Sequence, residues 1–148
     1  MGTYAMTGGA TGIGAELKRQ LLAQGHQVIS VDIKEGDILA DLSTAEGRQA
    51  AIDGVRERAA DGLDGFIPCA GLPPVANPLS LVAKVNYFAV VATVEGLRDL
   101  LAKKRGSVLL VASNSAPMIG NDDPYVQACL AGDEAAACAD IEGRDGHT

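Results

Sequence analysis

The sequence predicts an α/β fold, in which helices flank a doubly wound parallel sheet of about five strands. Short β-branched runs alternate with helical patterns over residues 1–112, which is typical of repeated β-α-β units. A glycine-rich turn separates the first run from the first helical pattern. The last run, Val108–Ala112, is wholly apolar, as in a strand covered on both faces. With 148 residues, of which 47% are hydrophobic, the chain suits a single domain with one core.

The elements are predicted in the order β-α-β-β-α-β-α-β, followed by a tail. Ile13, Leu17 and Leu21 recur at helical spacing on one face of the first helix. The segment Ser43–Glu46 matches a capping box, so the second helix begins there and runs to about residue 60. The predicted strands are Thr3–Thr7, Val28–Asp32, Ile38–Ala40, Gly65–Cys69 and Val108–Ala112, and the other predicted helices are Gly12–Gln24 and Leu79–Lys103.

The composition argues against several classes of protein. The net charge of −7 leaves no excess of lysine and arginine for nucleic acid. No apolar run reaches the ~20 residues that span a bilayer, and the N-terminus lacks a signal-peptide pattern, so no membrane partner is expected. Three cysteines form no even framework, which favours the cytoplasm. The two histidines, His26 and His147, lie far apart, which argues against a metal centre.

The last third of the chain differs in charge from the rest. Residues 106–148 carry one basic side chain, Arg144, against seven acidic ones, whereas residues 1–105 are close to balance. This acidic, alanine-rich composition predicts a solvated helical segment or flap at residues 120–146 instead of further sheet. A surface amphipathic helix with no role in any reaction remains the alternative.

Three glycines lie where a strand-to-helix turn would contact a dinucleotide. Gly8 permits a tight turn, Gly12 lets the backbone approach a pyrophosphate at the helix N-terminus, and Gly14 lets the helix pack closely on the sheet. The pattern lacks the lysine of a P-loop. It therefore predicts a Rossmann-type dinucleotide-binding domain over residues 1–148, although a turn with a purely structural purpose is the alternative.

Asp32 is the second sign of a nucleotide site. It ends the second predicted strand, roughly 20 residues after the glycine turn, where an acidic residue binds the adenosine ribose. A carboxylate there repels a 2′-phosphate, so NAD is favoured over NADP, and Lys34 tempers that preference. The alternative is an ordinary solvated aspartate at a strand end.

The spacing TGxxxGxG in Thr7–Gly14 resembles that of the short-chain dehydrogenase/reductase family, and further motifs extend the resemblance along the chain. Asn86 resembles the family's helix asparagine, which orders a water-mediated proton relay, and Ser113 resembles the catalytic serine after the fifth strand. Neighbouring Val82, Val85 and Ala89 predict a mostly buried helix face around Asn86. The resemblance implies that NAD is held by Gly8, Ala10, Thr11, Gly12, Ile13, Gly14, Asp32, Ile33, Asp41, Leu42, Cys69, Ala70 and Gly71.

A narrower resemblance is to the bacterial 3α-hydroxysteroid dehydrogenase/carbonyl reductases within that family. It rests on Asp32-Ile33, the run Ala40–Arg48 and the run Cys69–Leu72. It implies an NAD-dependent oxidoreductase that interconverts a secondary alcohol and a ketone, on a hydroxysteroid or another bulky apolar carbonyl compound. It also implies a homo-oligomer when complete, with the acidic insertion near the substrate entrance.

The resemblance further implies a tyrosine proton donor with a lysine four residues later, which these 148 residues lack after Ser113. Tyr125 is followed four residues on by Cys129, and no lysine follows Lys104. We therefore expect an incomplete copy of a longer enzyme, inactive alone. The alternative is a non-catalytic NAD-binding module that serves as a pseudoenzyme or interaction domain. A methyltransferase with an adenosyl cofactor would leave Asn86 and Ser113 unexplained.

Overall fold

The computed structural model describes residues 1–144, which contain one parallel sheet with helices on both faces. The sheet order is β3-β2-β1-β4-β5, and every neighbouring pair is parallel. The chain therefore moves outward from β1 in one direction and then resumes on its other side. The prediction of a doubly wound parallel sheet of about five strands is confirmed. The strands are β1 (Thr3–Thr7), β2 (Gln27–Asp32), β3 (Ile38–Leu39), β4 (Gly65–Pro68) and β5 (Ser107–Val108).

Alternating side chains of the strands fill two apolar layers, one on each face of the sheet. On one face, Met6 and Ile67 pack with Leu17 and Leu21 of helix α1 (Gly12–Ala23). On the other face, the strands pack against helix α2 (Ala45–Arg58) and helix α4 (Ala89–Lys104). The largest side chains that are almost wholly buried in this second layer are Phe66, Leu63, Leu97, Val31 and Val55.

A single long helix spans Ser80–Lys104, close to the predicted Leu79–Lys103, but it is not α-helical throughout. The short helix α3 (Ser80–Ala83) continues into a π-helical segment, Lys84–Phe88, before α4 begins. The π-helical segment forms one wide turn. It was not predicted, because the apolar spacing that marks a helix does not register one extra residue in one turn. This segment contains Asn86, so the wide turn falls at one of the two predicted catalytic residues.

The same long helix corrects one expectation from composition. Of the helices in residues 1–144, this one has the length and the apolar composition needed to cross a membrane, with a mean hydropathy of 1.3. However, Leu97, Leu100 and Leu101 are buried in the core beside α2 and β4. An ion pair between Arg56 and Asp99 also joins it to α2. These contacts place the helix in the layer that covers the sheet.

The fifth strand is shorter than predicted and is exposed. It pairs through Ser107 and Val108 only, with one further hydrogen bond from the Leu109 N–H group to the Phe66 carbonyl. The side chains of Leu109, Leu110 and Val111 are each more than half exposed. The expectation of a strand covered on both faces is therefore wrong for the described residues, because these side chains stay exposed.

The acidic segment forms two short helices, α5 (Pro124–Leu130) and α6 (Glu134–Glu142), that pack against each other. Residues 145 and 146 of the predicted segment lie outside the described residues. Helix α6 also packs on α3, where Ala137 is fully buried and the Glu142 carboxylate accepts a hydrogen bond of 2.6 Å from the Ser80 N–H group. The Arg144 guanidinium, just after α6, donates two hydrogen bonds to the carboxylate of Asp123, the N-cap residue of α5. The segment is thus joined to the start of the long helix.

Helix α2 is capped by Thr44, one residue later than the predicted capping box. The Thr44 hydroxyl accepts a hydrogen bond of 3.0 Å from the Gly47 N–H group, whereas the Ser43 hydroxyl donates to Asp41. We expect Thr44→Ala to lower the free energy of unfolding by about 1 kcal/mol, because the Gly47 N–H group loses its acceptor. Urea denaturation measures this change. A larger loss in Ser43→Ala than in Thr44→Ala would contradict the assignment of the cap.

Candidate functional site

A cleft of about 590 Å³ lies at the carboxyl ends of β1, β2 and β4. This is where the order of strands reverses, the position at which doubly wound sheets bind ligands. The volume is in the range of small-molecule and cofactor sites. The predicted cofactor-binding residues that line this cleft are Gly8, Thr11, Gly12, Ile13, Gly14, Asp32, Ile33, Asp41, Leu42, Cys69, Ala70 and Gly71. Ala10 is the predicted residue that does not line it.

The glycine turn has the backbone geometry that its sequence requires. Gly8 and Gly12 have φ angles of 71° and 58°, in the left-handed region that favours glycine. A Cβ atom on Gly8 would lie 2.7 Å from the Ala70 backbone, whereas a Cβ atom on Gly12 would meet nothing within 4 Å. The turn is therefore packed closely against the residues after β4 on one side and is open at Gly12.

Gly14 lies where the start of helix α1 packs against the residue that follows β1. A Cβ atom there would overlap the carbonyl oxygen of Gly8, so the glycine allows helix α1 to pack on the preceding turn. The N-cap residue of this helix, Thr11, makes no side-chain hydrogen bond to the first turn. The N–H groups at the start of α1 thus receive no capping acceptor from Thr11 and lie beside the cleft.

The carboxylate of Asp32 is held at the end of β2 by two backbone N–H groups. Ala10 donates to its Oδ2 atom at 3.1 Å and Lys34 donates to its Oδ1 atom at 3.0 Å. Ala10, although outside the lining, therefore positions the acidic residue that lies in it. Each carboxylate oxygen has a further lone pair that can accept a hydrogen bond from a ligand hydroxyl.

Asp41 and Cys69 both line the cleft and follow β3 and β4, which lie on different sides of β1. The Ser43 hydroxyl and N–H groups both donate to Asp41 Oδ1, at 2.7 and 2.9 Å, and these bonds hold the pKa of the Asp41 carboxyl below its usual range. Burial raises the pKa of the Cys69 thiol, which therefore stays protonated at neutral pH. Thr7 anchors the Cys69 wall by accepting a hydrogen bond of 3.0 Å from the Ala70 N–H group.

Neither of the two predicted catalytic side chains lines this cleft. Asn86 is exposed, so the expectation of a mostly buried face around it is wrong at this position. Its amide pairs with the Leu72 backbone, accepting from the N–H group at 2.7 Å and donating to the carbonyl at 2.9 Å. Ser113 is also exposed, with its Oγ atom 2.7 Å from the Ser115 hydroxyl.

Arg48 is a buried cation that the sequence reasoning did not single out as a site residue. Its guanidinium binds the Glu134 carboxylate with two hydrogen bonds, of 2.7 and 2.9 Å, and donates to two backbone carbonyls. A signal was present, because Arg48 shares the helical spacing of Ala51, Ile52 and Val55, which form the buried face of α2. An arginine on such a face needs partners for its charge.

The Arg48 guanidinium holds the pKa of the Glu134 carboxyl below the usual value of about 4.5. A carboxyl whose pKa is lower in the folded chain stabilises that chain above about pH 4.5, and this contribution is lost as the pH falls through the folded-state pKa. We therefore expect Glu134→Gln to remove part of the loss of stability below pH 4.5. Urea denaturation at a series of pH values measures it. Equal acid sensitivity in both proteins would contradict the effect of the pair.

The sequence comparison defines the class of this protein. Residues 3–124 match the short chain dehydrogenase family, and the chain belongs to that family. The fold, the position of the cleft and the glycine turn agree with this assignment. The predicted resemblance is thereby confirmed. Among residues 1–144, no group of histidine, cysteine or acidic side chains could hold a metal ion.

Two curated relatives are similar to this chain over most of its length. The chain is 39% identical over 144 residues to the 3-alpha-hydroxysteroid dehydrogenase/carbonyl reductase of Comamonas testosteroni, covering 96% of this chain and 56% of that protein. It is 36% identical over 114 residues to a coniferyl-alcohol dehydrogenase of a Pseudomonas species, covering 73% of this chain and 42% of that protein. The chain thus spans about half the length of these curated relatives.

One solved structure is similar over almost the whole chain. The 3-alpha-hydroxysteroid dehydrogenase of Pseudomonas sp. B-0831, solved in complex with NADH, superposes with a TM-score of 0.88 at 42% identity. The match covers 95% of this chain and 61% of that protein. An oxidoreductase of the same family from Brucella ovis gives a TM-score of 0.71 at 26% identity, covering 94% of this chain and 72% of that one.

Proposed function

We propose that this chain binds NAD in the cleft and forms the cofactor-binding part of an oxidoreductase that interconverts a secondary alcohol and a ketone. The observation that carries the proposal is the meeting of the open glycine turn, the start of α1 and Asp32 around one cleft. The NADH complex of the similar Pseudomonas enzyme supports the same cofactor. The names of both curated relatives support alcohol chemistry.

The residues of the cleft suit the parts of a dinucleotide. The open backbone at Gly12 and the N–H groups at the start of α1 would receive the pyrophosphate, because a helix N-terminus favours negative charge. Asp32 would accept hydrogen bonds from the hydroxyls of the adenosine ribose. Asp41 and Leu42 would contact the adenine, and the run Cys69–Gly71 would pass beside the cofactor.

The preference for NAD over NADP follows from Asp32. Its carboxylate lies half-buried in the lining, where a 2′-phosphate would be repelled. Lys34 also lines the cleft and reduces the repulsion without removing it. We therefore assign NAD as the cofactor.

The two exposed polar residues would act on the substrate side. Bound NAD would supply the hydride acceptor, or donor in the reverse direction, while the protein orients the reactants. Ser113 would donate a hydrogen bond to the substrate oxygen and stabilise the charge that develops there. Asn86 would order the proton relay through the oxygen lone pair and the N–H hydrogen of its amide that do not bind Leu72. The substrate class we propose is a hydroxysteroid or another bulky apolar alcohol or ketone.

The remaining parts of the proposal concern the whole protein. It would act in the cytoplasm as a homo-oligomer, with residues 120–146 as a flap on the substrate side. Helix α6 packs at the start of the long helix, whose residues Leu81 and Val85 line the cleft, and this supports a position near the substrate. The 148 residues alone would lack turnover, because they contain no tyrosine and lysine pair after Ser113.

A second candidate function is a non-catalytic NAD-binding module. The observation that favours it is Tyr125, which has Cys129 where a lysine would be needed. Burial raises the pKa of Tyr125, and this residue does not line the cleft. This module would bind NAD as proposed above but would take no part in oxidation or reduction.

Titration of NADH and NADPH into the purified protein, followed by nicotinamide fluorescence, tests the cofactor assignment. We expect saturable binding of NADH with a Kd about tenfold lower than that of NADPH. Absence of saturable NADH binding would contradict both candidate functions. Turnover of hydroxysteroids by a chain that includes the tyrosine and lysine pair would separate the oxidoreductase from the module.

A further inference from the structure

We propose that Arg48 is a positioning residue that holds two walls of the NAD cleft at a fixed separation by tying both to helix α6. Arg48 does not itself line the cleft. It acts through Leu42 on one wall and through the π-helical segment Lys84–Phe88 on the other. The inference rests on the proposed binding of NAD and adds to it a residue outside the binding surface.

The guanidinium of Arg48 contacts three separate parts of the chain. Its Nε atom donates to the Leu42 carbonyl at 2.8 Å, and an Nη2 hydrogen donates to the Lys84 carbonyl at 2.9 Å. The Nη1 and Nη2 atoms also bind the two oxygens of Glu134 at 2.7 and 2.9 Å. Four of the five N–H donors of the guanidinium are thus directed to named acceptors.

Both carbonyl acceptors belong to the walls of the cleft or adjoin them. Leu42 lines the cleft, as do its neighbours Asp41 and Ser43, in the part assigned to adenine. The Lys84 carbonyl also accepts the π-helical hydrogen bond of the Ala89 N–H group, and Val85, the next residue, lines the cleft. The Arg48 side chain therefore joins the wall that is proposed to contact adenine to the π-helical segment that contains Asn86.

The contacts need arginine and not merely a positive charge. The side chain of Arg48 is 9% exposed, so an unpaired donor there would be costly. A guanidinium is planar and can serve acceptors on three sides, whereas an ammonium is a compact charge with three donors. Lysine could pair with Glu134 but could not hold both carbonyls in the same geometry.

Arg56 provides a matched control on the same helix. It binds Asp99 with two hydrogen bonds, of 2.6 and 2.7 Å, and donates to the Gly96 carbonyl at 2.9 Å. This is also a bidentate pair with a backbone carbonyl that joins α2 to another helix. None of these three residues lines the cleft. Replacing Arg56 therefore changes the packing of α2 without removing a contact to any residue that lines the cleft.

The experiment compares Arg48→Met, Arg48→Lys and Arg56→Met with the unaltered chain. Isothermal calorimetry measures the Kd for ADP-ribose, which lacks nicotinamide, and thermal unfolding is recorded for each protein. Binding is measured at a temperature at which all four proteins are folded. We expect Arg48→Met to raise the Kd about tenfold and Arg48→Lys to restore less than half of that loss on a logarithmic scale. Arg56→Met should lower the unfolding temperature without changing the Kd.

The outcomes separate the inference from the function on which it rests. If the unaltered chain binds no ADP-ribose, the proposed function fails and the inference fails with it. If the unaltered chain binds and Arg48→Met binds equally well, only the inference is overturned. An equal rise in Kd for Arg48→Met and Arg56→Met would assign the effect to general packing of α2 and would also overturn the inference.

Discussion

Replacing Gly14 by alanine is expected to abolish NADH binding and to lower the free energy of unfolding by about 3 kcal/mol. The added methyl group would overlap the carbonyl oxygen of Gly8, which is backbone and cannot rotate away. Either the turn or the start of α1 must move, and both adjoin the open backbone at Gly12. Urea denaturation and NADH fluorescence measure the two effects.

Gly25→Ala is the control for this substitution. Gly25 has a φ angle of 83°, and a Cβ atom there would meet nothing within 4 Å. Its replacement introduces backbone strain at the end of α1 without an overlap, so a loss of about 1 kcal/mol is expected with an unchanged Kd for NADH. Tight binding of NADH by Gly14→Ala would show that the turn tolerates displacement and would contradict the proposed pyrophosphate contact.

Replacing Asp32 by asparagine is expected to raise the Kd for NADH by about tenfold to a hundredfold and to bring it close to that for NADPH. The carboxylate accepts hydrogen bonds from Ala10 and Lys34 through different oxygens. An asparagine can accept only one of these bonds, because its amide nitrogen would face the other donor. The substitution also removes the charge that repels a 2′-phosphate. Paired titrations with NADH and NADPH measure the ratio of the two Kd values.

Asp37→Asn serves as the control because Asp37 is a nearby carboxylate outside the cleft lining. It accepts hydrogen bonds from the N–H and hydroxyl groups of Ser30, at 2.8 and 2.9 Å, and so supports β2. Its replacement should reduce stability while leaving the ratio of the Kd values for NADH and NADPH unchanged. If Asp32→Asn also leaves that ratio unchanged, Asp32 does not determine cofactor preference.

Much of the fold could be predicted because its signals are local. The strands β1 and β2 and the helix α1 follow from apolar spacing and from glycines at the turns. The end of β5 could not be predicted in this way, since an apolar run becomes a long strand only where other elements pair with it and cover it. In the described residues, Leu109 makes the last ladder hydrogen bond and residues 110–122 are exposed.

The cofactor side of the site was predictable for a related reason. The proposed contacts come from short motifs after β1, β2 and β4, and a parallel sheet brings the carboxyl ends of its strands together. The role of Arg48 depends instead on Glu134, which lies 86 residues away in the sequence. Asn86 likewise pairs with the backbone of Leu72, which lies 14 residues away. Spacing along one element carries no information about partners so distant.

The central position of β1 has a consequence for how the chain assembles. This strand contains residues 3–7, yet it lies between β2 and β4 and joins the two halves of the sheet. During synthesis from the N-terminus, β1 emerges first, but its second edge stays unpaired until residues 65–68 of β4 have been made. Closing the sheet therefore requires a long-range contact, which slows folding relative to local pairing. Residues 3–7 hydrogen-bond to a strand on each side, so a substitution that weakens β1 would disturb both halves of the sheet.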